Sequence, residues 1–233
     1  MRGDPNIATS AALIGDPARA AILSALADGR ALPAGELAVA AGLSPSAASA
    51  HLAKLLDGRL LALEREGRHR YYRLAGPQVA AALESLSLIA APPSRQAIVR
   101  SPQAQALRYA RSCYDHLAGE LGVTVAAALE TRGLIAPGGQ GKRMNVTKAG
   151  AKWFETVLRI DVHELKPGRH GIACRCLDWT ERRHHLAGPL GTQLFERCCE
   201  MGWLTRGRHS RAVELTRKGR NKLREHLGIG SIA

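Results

Sequence analysis

The densest chemistry in the chain lies in residues 163–185, HELKPGRHGIACRCLDWTERRHH. Cys174 and Cys176 are one residue apart, with His170, His184, His185 and four arginines around them. Cationic neighbours stabilise a thiolate, which makes the sulfur a better nucleophile and a better metal ligand. Two thiolates and a third donor suit a soft ion such as Cd(II), As(III) or Hg(II), or Zn(II) with a histidine. Cys113, Cys198 or Cys199 are the candidates to complete such a set, in one chain or across two. A competing reading holds for Cys198 and Cys199. They fall in FERCCEMGWL, a helical segment whose apolar side is core, where a buried cysteine acts as a small hydrophobe. Five cysteines with no C-x-x-C pair fit neither a disulfide framework nor a zinc ribbon.

A second group of side chains suits a polyanion. The outer side of residues 44–57 offers Ser44, Ser46, Ser49, Ala50, His51 and Lys54. Short hydroxyls and methyls let a helix approach base edges, and a lysine supplies a phosphate contact. Arg65, Arg68, His69, Arg70 and Arg73 follow at a turn, in reach of phosphates or of the neighbouring minor groove. The formal net charge is +13. Residues 1–91 hold nine Lys/Arg against eight Asp/Glu, so nearly all the excess lies beyond residue 91. A strongly basic chain has a polyanion among its partners, nucleic acid first.

The elements that must position these groups are legible. Asp16-Pro17 opens a helix that carries Ile22, Leu23 and Leu26 on one face. A second helix runs from Pro33 through Leu37 and Val39 to Gly42, a left-handed cap. Ser44-Pro45 opens a third, which ends near Asp57-Gly58, with Leu52, Leu55 and Leu56 inward. Alternation in LLALEREGRHRYYRLA predicts a hairpin turning at Glu66-Gly67. Gly76-Pro77 starts a helix that stops at Ala91-Pro92. Two helices around a glycine break, followed by a basic hairpin, are the plan of a winged helix-turn-helix, whose second helix enters the major groove.

Residues 10–91 resemble the ArsR/SmtB family of bacterial winged-helix repressors. The resemblance is carried by Asp16-Pro17-Ala18-Arg19, Ile22-Leu23, Glu36-Leu37, Gly42-Leu43-Ser44, His51-Leu52 with Leu55, and Gly67-Arg68 through Tyr71-Tyr72-Arg73. It implies a homodimer on double-stranded DNA with a palindromic operator, released when a signal changes the angle between two recognition helices. The thiols of the family's metal sensors correspond here to Ala38 and Ala40, which ligate nothing. The helix at residues 77–91, where relatives place histidines and carboxylates, holds Glu84 alone. Any sensor is therefore elsewhere.

The second half repeats itself with a constant offset of 69 residues. His116-Leu117-Ala118-Gly119-Glu120-Leu121-Gly122 returns as His185-Leu186-Ala187-Gly188-Pro189-Leu190-Gly191, and Val146-Thr147-Lys148-Ala149-Gly150 as Leu215-Thr216-Arg217-Lys218-Gly219. Each copy reads as helix, helix, loop or short hairpin, then a threonine-capped helix, a degenerate winged-helix-like unit. The expected fold is thus mainly α with small β-hairpin wings. A winged helix-turn-helix occupies residues 1–91, a linker 92–101 and a C-terminal domain 102–233, with repeats at about 102–160 and 171–229.

No G-x-S-x-G, P-loop, G-x-G-x-x-G or H-E-x-x-H motif is present, so no enzyme is expected. No apolar run reaches the ~20 residues that span a bilayer, and the N-terminal stretch has no long apolar segment, which together predict a cytoplasmic protein. The expectation is a dimeric repressor responding to a thiophilic or zinc-like ion, or an oxidant, at C-terminal cysteines. A regulator of a small organic ligand and a winged-helix interaction scaffold are the alternatives.

Overall fold

A computed structural model describes residues 6–91, 101–139, 141–207 and 210–230. The chain divides into two compact units, Met1–Ser87 and Leu88–Ala233. Residues 92–100 of the expected linker lie outside the described residues.

In the first unit the elements are α1 (Ile7–Ile14), α2 (Pro17–Ala25), β1 (Leu32–Pro33), α3 (Ala34–Ala41), α4 (Pro45–Asp57), β2 (Leu61–Glu66), β3 (His69–Leu74) and the start of α5 (Pro77–Ile89). The caps expected from sequence form. Asp16 Oδ1 accepts from the Arg19 amide at 2.9 Å, and Ser44 Oγ from the Ala47 amide at 3.3 Å. Gly42 closes α3 in the left-handed region at φ +65°. Ile22, Leu23, Leu26, Leu37, Leu52 and Leu55 are fully buried and lock α2, α3 and α4 into one core. The wing, β2 with β3, pairs from Leu61↔Leu74 to Glu66↔His69. Two elements escaped the sequence reading. β1 adds a third strand through Leu32↔Tyr72, and α1 buries no residue of its own, so neither carries a periodic apolar signature. Arg19 ties α1 down by donating to the carbonyls of Leu13 at 2.7 Å and Ala12 at 2.8 Å.

The second unit contains α6 (Pro102–Tyr109), β4 (Arg111–Cys113), β5 (His116–Ala118), α7 (Gly119–Thr131), β6 (Ile135–Pro137), β7 (Arg143–Val146), α8 (Lys148–Leu158), β8 (Ala173–Leu177), β9 (His184–Ala187), α9 (Gly188–Glu200), β10 (Leu204–Arg206), β11 (Val213–Leu215) and α10 (Arg217–Leu227). The order hairpin, helix, hairpin, helix occurs twice. The opening helix expected in each copy is present in the first as α6, whereas the second opens on the hairpin β8–β9. The segments before α7 and α9 are strands of three to five residues. Pieces so short cannot nucleate a helix, and their backbone groups are satisfied across a hairpin instead.

The two halves join their hairpins. β6 and β7 of the first join β8 and β9 of the second in one antiparallel sheet of order β6-β7-β8-β9, with Arg143↔Cys174 at the seam. Reciprocally, β11 of the second meets β4 of the first at Arg111↔Ala212, and the Ser112 amide donates to the Arg211 carbonyl at 2.9 Å. Each hairpin pairs within its own half, and these contacts extend the pairing across the two halves. Phe154, Phe195, Leu121, Leu129 and Leu190, all fully buried, fill one shared core.

Thr147 and Thr216 play the same part in both halves. Each hydroxyl accepts from the amide three residues on, Gly150 at 2.9 Å and Gly219 at 3.0 Å. Those glycines permit a close crossing. A Cβ on Gly150 would stand 1.9 Å from the Leu134 carbonyl oxygen, and one on Gly219 2.1 Å from that of Trp203. Backbone must move to admit either, so Gly150→Ala and Gly219→Ala should each lower stability by about 1–3 kcal/mol. Urea unfolding followed by tryptophan fluorescence measures this, and an unchanged midpoint would contradict the crossing.

Candidate functional site

Two sets of functional side chains emerge, one in each unit. In the first, α4 presents Ser44, Ser46, Ser49 and Lys54 to solvent. Ser44 Oγ lies 3.2 Å from Ser46 Oγ, and Ser49 Oγ donates to the Pro45 carbonyl at 2.9 Å. The hydroxyls are thus held close to the helix surface, leaving a low, polar face that can approach a groove. Arg65, Arg68, His69 and Arg70 are exposed at the wing tip. Arg65 and Arg70 are direct cross-strand partners, which concentrates positive charge there.

Two residues of the expected DNA-contacting set have partners within the unit. His51 is half-buried, its Nδ1 3.7 Å from Asp16 Oδ1. It sits beside the inward stripe of Ala48, Leu52 and Leu55 and turns toward the start of α2 rather than outward. Arg73 pairs with Glu64 on the adjacent strand and donates to the Leu74 carbonyl at 3.2 Å, an exposed pair that a phosphate would compete with.

In the second unit the structure gathers Cys113, His116, Cys176 and His185, whose donor atoms all lie within 4.8 Å of one another. Cys113 and His116 are cross-strand partners in β4–β5. Cys176 and His185 are cross-strand partners in β8–β9. Each half contributes one such pair, and the pairs meet where the halves face each other. The two sulfurs are 3.9 Å apart and the two Nε2 atoms 3.2 Å apart. Close packing allows this approach. A Cβ on Gly122 would lie 3.6 Å from His185 Cβ, and one on Gly191 3.5 Å from His116 Cβ.

Each histidine has a carboxylate at its far nitrogen. His116 Nδ1 is 2.9 Å from Asp115 Oδ1, and His185 Nδ1 is 3.3 Å from Asp178 Oδ2. Asp178 is fully buried and heavily bonded. Its Oδ2 accepts from Arg111 Nη2 at 2.9 Å and from the Gly119 amide at 2.7 Å, and its Oδ1 accepts from the Thr180 amide at 2.9 Å and hydroxyl at 2.6 Å. The Arg111 guanidinium also lies over the Trp179 ring, 4.4 Å from its centroid.

The charges are set by these neighbours. Hydrogen bonding from Cys113, against the upward push of burial and with help from His116 and His185, holds the Cys176 thiol far below its ordinary range. Burial pulls His116 down, but the bonds to Asp115 and Cys176 outweigh it and raise it to about 9. Burial likewise opposes ionisation of Asp178, yet His185, Arg111, Thr180 and the Gly119 amide hold it well below the usual carboxylate range. The lowered thiol and the raised imidazole favour an ion pair between Cys176 and His116, and a metal would have to displace that proton to use the neutral imidazole as a ligand.

The cysteine set expected from sequence is redrawn. Cys113 and Cys176 belong to the cluster. Cys174 lies two residues before Cys176 and faces Ala187 across the sheet instead of a histidine. Burial raises its thiol. Cys198 is buried in the core on α9, with its thiol pushed up to about 12 by burial, and burial also raises the neighbouring Cys199. His170 is exposed at the turn between Gly168 and Gly171, and His184 faces the opposite side of β9 from His185. His116 was missed as a donor, although the internal repeat pairs it with His185. The signal that could have found the full set was present as Cys-x-x-His in one copy and Cys followed by a longer loop to His in the other.

Comparison with known proteins places the chain. A model described as "Helix-turn-helix domain" matches residues 14–64. A curated relative from Bacillus subtilis (strain 168), the uncharacterized HTH-type transcriptional regulator YdfF, is 41% identical over 226 residues, covering 97% of this chain and 99% of the relative. The chain belongs to the HTH-type transcriptional regulators. Like its relatives, this regulator is not an enzyme, and its N-terminal unit is the winged helix-turn-helix implied by the ArsR/SmtB resemblance. Among solved structures, the cadmium metal-sensor CMTR from Mycobacterium tuberculosis is 38% identical, over 38% of this chain and 93% of that one, with a TM-score of 0.32. The homodimeric winged helix-turn-helix domain Mb0332 from Mycobacterium bovis, described as a possible ArsR-family regulator, is 30% identical over 38% and 89%, with a TM-score of 0.34. NolR from Sinorhizobium fredii is 33% identical over 35% and 80%, with a TM-score of 0.33. Among the described residues, no helix of the regulator is long and apolar enough to cross a membrane.

Proposed function

We propose that this regulator is a dimeric repressor that occludes a promoter through a palindromic operator in the cytoplasm, and that a thiophilic metal or an oxidant acting at the C-terminal thiols releases it. The observation that carries the DNA half is the exposed face of Ser44, Ser46, Ser49 and Lys54 beside the basic wing tip. A single module of this size reaches few bases, and a second copy supplies the other half-site. Helix faces left bare support such a pairing. Ile7 on α1 and Ile89 on α5 are 78% and 82% exposed, and Ala80 is the one buried residue recorded on α5.

The thiol half is supported by the convergence of Cys113, His116, Cys176 and His185. An organic effector is less well served by the core of the second unit. The apolar cavity lined by Leu117, Val125, Trp153, Leu194 and Trp203 has room for about 10 Å³, at the lower limit for one water, and the larger spaces of the unit, about 720 Å³ beside Thr124 and Arg132 and about 490 Å³ beside Arg143 and His163, are open surface clefts.

Fluorescence anisotropy on the upstream DNA of its own gene tests the DNA half. Lys54→Ala and Arg68→Ala should each weaken binding across sequences and reduce the slope of log K against log salt by about 1. If neither substitution changes affinity or slope, the interaction-scaffold reading takes its place.

A further inference from the structure

We infer that Cys113, His116, Cys176 and His185 hold one tetrahedral divalent ion of the zinc class, and that this ion clamps the two halves of the C-terminal unit together. The inference deepens the metal reading of that centre and rests on it. It names the ion class, the donor set and what the ion joins.

Distances favour this ion. With Zn–S near 2.3 Å and Zn–N near 2.0–2.1 Å, a tetrahedron sets its two sulfurs about 3.8 Å apart and its two nitrogens about 3.3 Å apart. The observed separations are 3.9 Å and 3.2 Å. The donor set is two sulfurs and two imidazoles, the S₂N₂ combination that tetrahedral zinc accepts. Arsenite, which favours three thiolates, finds two here.

Hydrogen bonding points the same way. A metal-ligating histidine commonly gives its other ring N–H to a carboxylate, which fixes the tautomer and the ring. Asp115 is hydrogen-bonded to His116 Nδ1, and Asp178 Oδ2 stands 3.3 Å from His185 Nδ1 without hydrogen-bond geometry, close enough to take that role once the ring is fixed. With the Nδ1 protons on that side, both Nε2 lone pairs converge 3.2 Å apart, a separation that a shared proton satisfies without metal and that a bound ion between them satisfies with it. Burial completes the setting. His116, His185 and Cys113 are 7%, 1% and 2% exposed, so three of the donors are shielded from competing water, while Cys176 is half-buried and gives the ion a way in.

The fold explains why the ion would clamp. Each half supplies one Cys–His pair on its own hairpin, and neither half holds more than two donors. An ion held by all four cannot be released by moving one half without breaking two bonds to the other.

The test uses the full chain, reduced and freed of metal with a chelator, titrated with Co(II) and then Zn(II), with DNA anisotropy read on the same samples. The expected result is one Co(II) per chain, showing the intense visible bands of tetrahedral thiolate-bound cobalt and displaced by Zn(II). Those bands should vanish in Cys176→Ser and persist in Cys174→Ser. Asp115→Asn, which leaves all four donors in place, should weaken Zn(II) binding by about 10- to 100-fold and so keeps the test decisive if Cys176→Ser unfolds. Failure of the native chain to take up Co(II), a faint octahedral spectrum, or equal loss in Cys174→Ser would overturn the inference. Cobalt uptake as expected with operator affinity unchanged upholds the site and rejects metal-controlled release. DNA binding without any cobalt uptake rejects the site and leaves the DNA-binding function standing.

Discussion

Asp178→Ala should destabilise the C-terminal unit by about 3–5 kcal/mol, as much as truncating a buried aromatic of its core. The carboxylate is fully buried and faces an equally buried guanidinium, Arg111. Removing it strands that positive charge in the interior, where the cost is set by lost solvation rather than by the worth of the pair. The amides of Gly119 and Thr180 lose their acceptor in the same step. Against a total stability of ~5–15 kcal/mol for a typical domain, that is a large fraction. All three tryptophans, Trp153, Trp179 and Trp203, lie in Leu88–Ala233, so intrinsic fluorescence during urea unfolding reports this unit alone. Adding Arg111→Met to Asp178→Ala should recover part of the loss, since the stranded charge goes while the unsatisfied amides remain. A loss below about 1 kcal/mol for the single substitution would show that water reaches Arg111.

Leu52→Ala carries an effect of similar size, about 2–5 kcal/mol, and falls on the other unit. Leu52 is 1% exposed and seats α4 against the core of α2 and α3. The deleted side chain leaves a cavity directly beneath the helix that presents Ser46, Ser49 and Lys54. Operator affinity measured by anisotropy should therefore fall with the folded fraction, although Leu52 reaches no DNA itself. Because the tryptophans lie elsewhere, the fluorescence transition should stay where it is while far-UV circular dichroism records an earlier loss of helix. If DNA affinity is unchanged while circular dichroism shifts, α4 is not the helix that reads DNA.

How far the sequence reached differs between the two units for a physical reason. In the first, every decisive signal is local. Asp16 and Ser44 cap helices three residues away, Gly42 ends one, and the alternation around Gly67 makes the wing. Interactions that close within a few residues leave their mark in a few letters, so α2, α3, α4 and the wing were placed before any coordinates. Even there, whether a polar side chain turns outward depends on its neighbours in space. His51 and Arg73 read as DNA contacts, but Asp16 and Glu64 stand beside them.

In the second unit the sequence by itself determined the repeat, its register and the threonine-capped helices, because helix caps and turns repeat with the chain. His116 and His185 are 69 residues apart, in step with that register. Cys113 and Cys176 are 63 apart, because the loop from Cys176 to His185 is longer than the one from Cys113 to His116. A comparison in fixed register therefore sets the equivalent thiols out of step and leaves Cys174-x-Cys176 as the conspicuous pair. Only the tertiary structure decided otherwise. Strand pairing matches residues by hydrogen-bond register, which is indifferent to the length of the loop between them, and it put Cys176 opposite His185 as it put Cys113 opposite His116. Packing of the two halves then brought the two pairs face to face, a contact that no spacing along one chain could have specified.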